Sequence, residues 1–153
     1  MNPFELEFHH LGLAVRRGSE AVAFLQGLGY RIGKAMFDPE QNVNLIMCTH
    51  AGMPNVEVIY PAMGKSPVDE LVARNPNGLV YHACYVAHDL EVSLARMEQA
   101  GIRAVCVSPP KPAVLFGGRQ VSFYNIVGMG LVEILAADDS RPERPNEAYI
   151  AQC

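Results

Sequence analysis

Four side chains in this sequence combine metal-ligand chemistry with a repeated spacing. His10 and His82 each lie in a short apolar run that is typical of a β-strand, and Glu57 and Glu133 lie in later runs of the same kind. His82 follows His10 by 72 positions, and Glu133 follows Glu57 by 76. A carboxylate flanked by apolar residues is costly to bury unless it is paired or binds a cation. We therefore predict that these four residues, here called the quartet, bind one divalent metal ion.

Each member of the quartet has a structural alternative when it is taken alone. A strand histidine is often a core or edge residue, and a strand glutamate often faces solvent. Both types recur at matching places of a repeat, which favours a shared role as ligands. Imidazole and carboxylate donors suit a borderline or hard divalent cation, and they do not distinguish Ni, Co, Zn, Mn and Fe(II). The neighbouring His9 is expected to point away from His10 and to be structural.

The elements that must position the quartet show the same repeat. Apolar alternation, broken by glycine, proline and asparagine, predicts a strand, a helix and three strands in residues 8–61, and the same order again in residues 79–137. The predicted strands are 8–15, 30–32, 43–48, 55–60, 79–86, 102–107, 120–126 and 130–135, and the predicted helices run from Ser19 to Leu28 and from Asp89 to Ala100. The fold class is therefore α+β, with two βαβββ modules in tandem.

The linker and the tail complete the predicted organisation of the chain. The linker, residues 62–78, contains Ser66-Pro67-Val68-Asp69, which is typical of a helix start and predicts a short helix that ends at about Arg74. Residues 1–137 are expected to form a single domain, and the polar, proline-rich tail of residues 138–153 is expected to carry no chemistry.

Composition narrows the classes of function. The chain has 153 residues, a net charge of −4 and 50% hydrophobic residues, which predicts one soluble domain and a small-molecule ligand. No basic patch favours nucleic-acid binding, and no apolar run is long enough to cross a membrane. The acidic N-terminus is unlike an export signal, so we expect a cytoplasmic protein with reduced cysteines. Cys48, Cys84 and Cys106 are expected to be buried thiols, and Cys153 an exposed one.

Five further polar side chains are candidates for binding a substrate. Asn44 and Ser122, taken as repeat partners, and Tyr124 interrupt apolar strands, so they are expected to line the same cavity as the quartet. Lys111 and Arg119 lie in and beside a proline- and glycine-rich loop whose length is typical of a lid. Their cationic groups are expected to hold a carboxylate or phosphate of the substrate.

Six segments resemble the vicinal oxygen chelate superfamily. They are HLGLAV at 10–15, VEVIYP at 56–61, SPVDEL at 66–71, YHACYV at 81–86, GGRQVSF at 117–123 and GLVEIL at 130–135. The resemblance covers about residues 8–137 and is greatest to the branch that contains methylmalonyl-CoA epimerase, with lactoylglutathione lyase as a near relative. It implies a mixed sheet that curls into a cup around one divalent metal, commonly in a homodimer, and it places the ligands on the quartet.

The resemblance also implies a reaction. In this superfamily a divalent metal lowers the energy of an enolate while a carboxylate moves the proton next to a carbonyl. It thereby implies an isomerase or epimerase with Glu133 and Glu57 as catalytic carboxylates and a small carbonyl compound or thioester, such as methylmalonyl-CoA, as substrate. Some epimerases of this branch carry another carboxylate on the third strand of the first module, where residues 42–47 have none.

Three other functions remain open at this point. A lactoylglutathione lyase uses the same four ligand types, and an Fe(II) ring-cleaving dioxygenase needs two histidines and one carboxylate. A ligand-sequestering protein of the bleomycin-resistance type would use the fold without a metal. The presence of all four ligand residues favours an enzyme over sequestration.

Overall fold

The computed structural model describes residues 1–138, so the predicted tail and Cys153 lie outside the described residues apart from Asp138. Strands β1 to β9 span Leu6–Ala14, Arg31–Ile32, Met36–Asp38, Val43–Thr49, Val56–Pro61, Leu79–Ala87, Ala104–Pro112, Gln120–Ile126 and Gly130–Ala136. Helices α1 to α3 span Gly18–Gly27, Asp69–Arg74 and Leu90–Gln99, and a 3-10 turn spans Val114–Phe116. None of the helices within the described part is long and apolar enough to span a membrane.

All nine strands belong to one mixed sheet. Its order is β2-β4-β5-β1-β6-β9-β8-β7, and β3 pairs with β4 on the same side as β2. At the centre β1 and β6 are antiparallel, while β1 pairs in parallel with β5 and β6 pairs in parallel with β9. The two halves of the chain therefore meet at the seam between β1 and β6. This open, curled α+β sheet confirms the predicted fold class.

Helices α1 and α3 cover one face of the sheet, and the other face forms the cup. Leu25 of α1 packs into a core with Ile46 and Val58, and Met97 of α3 packs into a second core with Val132 and Ile134. Side chains alternate between the two faces along a strand. The glutamates that lie between these apolar neighbours therefore face the cup.

Several predicted boundaries agree with local hydrogen bonding, and one does not. The carboxylate of Asp69 accepts the backbone N–H of Ser66 at 2.7 Å, as expected of the motif that starts α2. Asp89 precedes α3 and accepts the N–H of Val92 at 3.0 Å. The predicted start of α1 at Ser19, where the serine was expected to cap the helix, was wrong, because the helix begins at Gly18 with Arg17 at the cap position and no side chain caps it.

The second half of the sheet differs from the prediction at its edge. β7 continues to Pro112, well into the predicted lid loop, and pairs with β8 as far as Gln120. Its pairing is interrupted between Cys106 and Ser108 and again between Ser108 and Lys111. Irregular pairing accommodates prolines, which have no N–H for a ladder hydrogen bond. Of the predicted lid loop, therefore, only the 3-10 turn and the residues on either side of it lie outside the strands.

Two further differences come from edge strands. β3 was not predicted, because three residues are too few for an alternating pattern to show. Cys48 and Cys84 are buried as expected, but the expected burial of Cys106 was wrong, since it is exposed. Cys106 lies on β7, which ends the order of the sheet and has one strand neighbour. An apolar run alone does not distinguish an edge strand from a central one.

Candidate metal centre

The four central strands bring the quartet together at the bottom of the cup. His10 comes from β1, Glu57 from β5, His82 from β6 and Glu133 from β9, and all four are at most 4% exposed. Each contributes a ligand-type atom, and these atoms lie within 4.8 Å of one another. The two modules therefore supply one histidine and one glutamate each.

The distances within the quartet are suitable for a shared cation. Nε2 of His82 lies 2.9 Å from Oε2 of Glu133, and Nε2 of His10 lies 3.4 Å from the same oxygen. Nε2 of His10 is 3.8 Å from Oε2 of Glu57. Ligand atoms about 2.0 to 2.2 Å from one ion are separated by about these lengths.

Several buried polar atoms of the quartet lack a hydrogen bond. Nε2 of His10, both ring nitrogens of His82 and Oε2 of Glu133 are buried without a hydrogen-bond partner of acceptable geometry. Buried polar atoms are rarely left unsatisfied, and such atoms in one cluster call for an explanation. A cation that accepts their lone pairs supplies one, so the residues fit a divalent metal.

The two glutamates of the quartet differ in their electrostatics. Burial raises the pKa of Glu57 to about 8, and the negative charge of Glu133 contributes to the rise. Burial also opposes ionisation of Glu133, but the imidazoles of His10 and His82 outweigh it and lower its pKa to about 2. Without a cation, Glu57 is therefore the carboxylate of the pair that holds a proton more readily.

Small residues make room for both histidine rings. In the pairing of β1 with β6, His82 lies opposite Gly12, and His10 lies opposite Cys84, so the two halves repeat the same arrangement. A Cβ atom at Gly12 would overlap the imidazole ring of His82. Gly12 was not predicted to belong to the site. A glycine inside a strand, two residues after His10, often marks a position where another group approaches closely.

A β-bulge precedes each histidine of the quartet. His9 has no partner on β6, because its neighbours in β1 pair with consecutive residues of that strand. Tyr81 likewise has no partner on β1, because its neighbours in β6 pair with consecutive residues of β1. The expectation that His9 points away from His10 was wrong, because the bulge interrupts alternation and the two rings lie 5.0 Å apart. Burial, with the nearby His10, lowers the pKa of His9 to about 4.

A small cavity lies beside the quartet. It holds about 10 Å³ of space for a water-sized sphere, which is room for about one water molecule. Its lining residues are Asp38, Gln41, Leu45, Glu57, Ile59, Tyr81, Ala113, Leu115, Phe116, Val121, Phe123 and Glu133. Apolar side chains such as Leu45, Ile59 and Phe123 form part of this wall, and they strengthen the interactions of the polar groups beside them.

Asp38 and Tyr81 are cavity residues that the sequence analysis missed. Asp38 is buried on β3 and accepts the N–H of Glu40 at 2.9 Å, so a carboxylate reaches this wall although residues 42–47 contain none. Burial, with the charges of the two glutamates, raises the pKa of Tyr81 well above its ordinary value. Its hydroxyl therefore stays a donor. In the sequence, the pairs Asp38-Pro39 and Tyr81-His82 were the signals that could have pointed to these two residues.

A broad groove lies next to this cavity. It has a volume of about 1010 Å³, and Tyr81, Val121 and Phe123 line both the groove and the cavity. Charged residues along it are Glu40, Lys65, Glu70, Arg74 and Lys111. Lys111 thus lies where a bound anion would pass, on strand β7 and not on a flexible lid.

The other predicted substrate-binding residues lie elsewhere. Tyr124 packs into the core under α3, and Ser122 shares its face of β8. Asn44 lies opposite Tyr60, which packs on the α1 side. The structure corrects the expectation that these three line the cup, because the cup-facing positions of β4 and β8 are the intervening ones. Arg119 donates its Nε–H to the carbonyl of Ala136 at 2.7 Å and joins β8 to the end of β9.

The expected repeat partnership of Asn44 and Ser122 was also wrong. Met47 lies opposite Glu57, and Phe123 lies opposite Glu133, so Met47 and Phe123 are equivalent. By this register Ser122 corresponds to Ile46. Loops of different length separate the strands of the two modules, so only pairing across the sheet shows which positions match.

Comparisons with known proteins agree with this architecture. The sequence profile of the Glyoxalase/Bleomycin resistance protein/Dioxygenase superfamily matches residues 9–123. The chain is 29% identical over 106 residues to an ethylmalonyl-CoA/methylmalonyl-CoA epimerase of Cereibacter sphaeroides, covering 67% of this chain and 77% of the relative.

Two solved structures have similar folds. A hypothetical protein from Bacillus halodurans superposes with a TM-score of 0.73 at 18% identity, over 90% of this chain and 98% of the other. A methylmalonyl-CoA epimerase from Mycobacterium tuberculosis superposes with a TM-score of 0.69 at 16% identity, over 86% of this chain and 88% of the other. These two structures show the fold, while the sequence relative from Cereibacter sphaeroides, which is named an epimerase, supports an enzyme.

Proposed function

Because the chain belongs to the Glyoxalase/Bleomycin resistance protein/Dioxygenase superfamily, we propose that it is a divalent-metal-dependent epimerase acting on an acyl thioester. The observation that carries this proposal is the buried quartet, whose two glutamates line a small cavity that shares several lining residues with a broad groove. The relative from Cereibacter sphaeroides, named an ethylmalonyl-CoA/methylmalonyl-CoA epimerase, indicates the substrate class. Methylmalonyl-CoA is the first compound to test.

His10, Glu57, His82 and Glu133 would hold the metal ion. Such an ion, when bound, acts as a Lewis acid that stabilises negative charge on the carbonyl oxygen of the substrate. Their chemistry does not choose among Ni, Co, Zn, Mn and Fe(II). Loading with each of these ions in turn is therefore part of the test.

Carboxylates on different strands provide for proton transfer. Epimerisation requires removal of a proton from one face of the α-carbon and delivery of a proton to the other face. Glu133 comes from β9 and Glu57 from β5, so the two modules each present one carboxylate to the cavity. We assign Glu133 as the base and Glu57 as its counterpart, because both carboxylates line the cavity and come from different modules. Asp38 adds a carboxylate to the same wall.

Tyr81 is suited to hold the reacting group. Its side chain lines the boundary between cavity and groove, and its hydroxyl remains protonated. We assign it the role of donating a hydrogen bond to an oxygen of the acyl group. The apolar walls provided by Leu45, Ile59 and Phe123 exclude water from the carbon that reacts.

The groove suits a long, anionic thioester. Lys65, Arg74 and Lys111 lie along it, and Arg74 is itself 3.7 Å from Glu70. Phosphate groups of a CoA carrier would meet these cations while the acyl end reaches the quartet. A homodimer, which the family resemblance implies, and a cytoplasmic location, which the N-terminus and the cysteines favour, complete the proposal.

The decisive experiment combines metal loading with isotope exchange. Full-length protein is loaded with each candidate ion and incubated with one epimer of methylmalonyl-CoA in D2O. We expect conversion to the other epimer with deuterium at the α-carbon, detected by NMR. Glu133→Gln should abolish exchange while metal remains bound, and His82→Ala should lower metal affinity.

Three results would contradict the proposal or one of its residue assignments. Turnover of the methylglyoxal–glutathione hemithioacetal in place of the CoA ester would assign the protein to lactoylglutathione lyase chemistry. Failure to bind any of the five ions would favour a sequestering protein. Unchanged metal content and turnover in Glu133→Gln would remove this residue from both of its assigned roles.

A further inference from the structure

His9 forms a hydrogen bond to the quartet from outside it. Its Nδ1 lies 2.7 Å from Nδ1 of His10, whose ring is fully buried. The bulge in β1 between Phe8 and His10 brings this extra residue to the ring. The proposed reaction assigns His9 no part, so this contact needs a reason of its own.

The two ring nitrogens of His10 face different groups. Nε2 faces the carboxylates of Glu57 and Glu133 at 3.8 and 3.4 Å, and Nδ1 faces His9. A neutral imidazole carries one proton, and the nitrogen that binds a cation cannot carry it. When Nε2 is the ligand, Nδ1 must therefore donate, and His9 is the acceptor that the structure provides.

We propose that His9 is a positioning residue for the metal ligand His10. Its Nδ1 accepts the Nδ1–H of His10 and so directs the Nε2 lone pair of His10 into the quartet. Partners of this kind, hydrogen-bonded to the far side of a ligand, set the tautomer and the orientation of metal-bound histidines. The inference rests on the metal site of the proposed function, but it does not depend on the substrate.

Aromatic packing holds the pair of rings in place. Phe116, in the 3-10 turn, stacks on His10 at 5.6 Å between ring centroids and meets the edge of His9 at 5.5 Å. His9 is half-buried, and its Nε2 is not among the buried atoms that lack a partner, so this nitrogen can keep a proton. The role requires the neutral His9 tautomer with its proton on Nε2, because only that tautomer leaves Nδ1 as an acceptor.

The second histidine of the quartet lacks an equivalent partner. Nδ1 of His82 is buried and has no hydrogen bond within residues 1–138. At the position matching His9, the second module has Tyr81, whose ring meets the edge of the His82 ring at 4.6 Å. His10 is therefore the better oriented of the two ligands, and removal of its partner is expected to weaken the site.

Titration of metal-free, full-length protein with Co²⁺ tests the proposal. His9→Phe keeps an aromatic ring against Phe116 but removes the acceptor, and we expect it to weaken Co²⁺ binding about 10- to 100-fold. His9→Asn keeps an acceptor oxygen at the place of Nδ1, and we expect it to bind within about 3-fold of the unaltered protein. His88→Phe removes an exposed imidazole and serves as the matched control.

A second measurement is independent of variants. In the Zn²⁺-loaded protein, ¹⁵N NMR should show a proton on Nδ1 of His10 and a bare Nδ1 on His9. A proton on Nδ1 of His9 would overturn the proposal even if His9→Phe fails to fold. Circular dichroism of the metal-free variants separates loss of folding from loss of affinity.

The outcomes distinguish this inference from the proposed function. Unchanged Co²⁺ affinity in His9→Phe would overturn the role of His9 and leave the metal site intact. Equal weakening in His9→Phe and His9→Asn would also overturn it, because the acceptor would then not matter. Failure of the unaltered protein to bind Co²⁺ or Zn²⁺ would overturn both proposals.

Discussion

At the scale of single residues, the surroundings shift the pKa values of two glutamates in one cluster in opposite directions. Glu57 is close to no cationic group strong enough to offset its burial, whereas Glu133 lies between two imidazoles. Environment, not residue type, therefore decides which carboxylate holds a proton before a cation arrives. This asymmetry has consequences for stability that can be measured without substrate.

The metal-free protein is expected to lose stability between about pH 6.5 and 8. The pKa of Glu57 rises from 4.5 to about 8 on folding, so the folded state holds a proton that the unfolded state has lost, and stability falls as pH rises through this window. The pKa of His9 falls from 6.5 to about 4, which has the opposite effect only below pH 6.5. When the folded state holds one proton more than the unfolded state, the free energy of unfolding falls by about 1.4 kcal/mol for each unit that the pH rises.

Urea unfolding at a series of pH values, in the presence of a chelator, measures this slope. Glu57→Gln is the control, because it has no proton to lose and should show a flat profile over the same window. A slope that persists in Glu57→Gln would assign the effect to other groups.

Gly12 is expected to be essential for the orientation of His82. Gly12→Ala would place a methyl group in the volume of the imidazole, so we expect at least about a 10-fold loss of Co²⁺ affinity. Gly27→Ala is the matched control, since a Cβ there meets no atom within 4 Å. Calorimetric titration of the two variants should separate them, and equal affinities would show that His82 moves aside without loss.

Tyr81 is expected to contribute to turnover but not to metal binding. Tyr81→Phe removes the hydroxyl while the ring continues to pack against His82, so we expect kcat to fall about 10- to 100-fold with Co²⁺ affinity unchanged. Epimerase kinetics and Co²⁺ titration of the same variant test both parts. A rise in KM with an unchanged kcat would instead indicate a contact made equally to the ground state.

At the scale of elements, bulges and edge strands decide which residues reach the cup. The bulges in β1 and β6 bring His9 and Tyr81 beside the histidines, against simple alternation. Regular β8, by contrast, keeps Ser122 and Tyr124 on the helix-covered face. β7 turns part of an expected lid into a paired strand, which gives Lys111 a fixed place along the groove.

The position of Lys111 predicts an effect on thioesters that carry phosphates. Lys111→Ala is expected to raise KM for methylmalonyl-CoA about 3- to 5-fold, which is modest because the ammonium group is exposed. The N-acetylcysteamine thioester has no phosphate, so its KM should not change. Lys34→Ala removes an exposed lysine that does not line the groove and is the control. Equal effects on both thioesters would place the phosphates elsewhere.

At the scale of the whole molecule, the site lies on the seam between the two halves of the sheet. Four adjacent strands, β5, β1, β6 and β9, contribute one ligand residue each. A bound cation would therefore join the two modules directly. Neither module has enough donors to make the site alone, which gives the repeat a functional reason.

Metal binding is expected to raise the thermal stability of the whole chain. At a free Co²⁺ concentration of 100 Kd, linkage contributes about 2.7 kcal/mol, or an increase in Tm of about 5 to 10 °C for a domain of this size. Differential scanning fluorimetry with and without Co²⁺ measures the shift. His82→Ala should show a much smaller one, and an equal shift in that variant would place the bound ion outside the quartet.

The sequence by itself determined the fold class, the family resemblance and the four residues that the structure brings together. These features are readable because they rest on local alternation and on a repeat of similar residues at similar spacing. The repeat made the quartet visible although no member of it is informative alone. Short elements such as β3 left no comparable signal.

Only the tertiary structure decided which side chains share the cup with the quartet. A strand pattern shows that neighbouring residues face opposite sides, but one bulge shifts the pattern by a residue, as it does at His9. The exposure of Cys106 and the faces of Asn44 and Ser122 depend on which strands pair and in what register. Those contacts join residues far apart in the chain, so local sequence does not specify them.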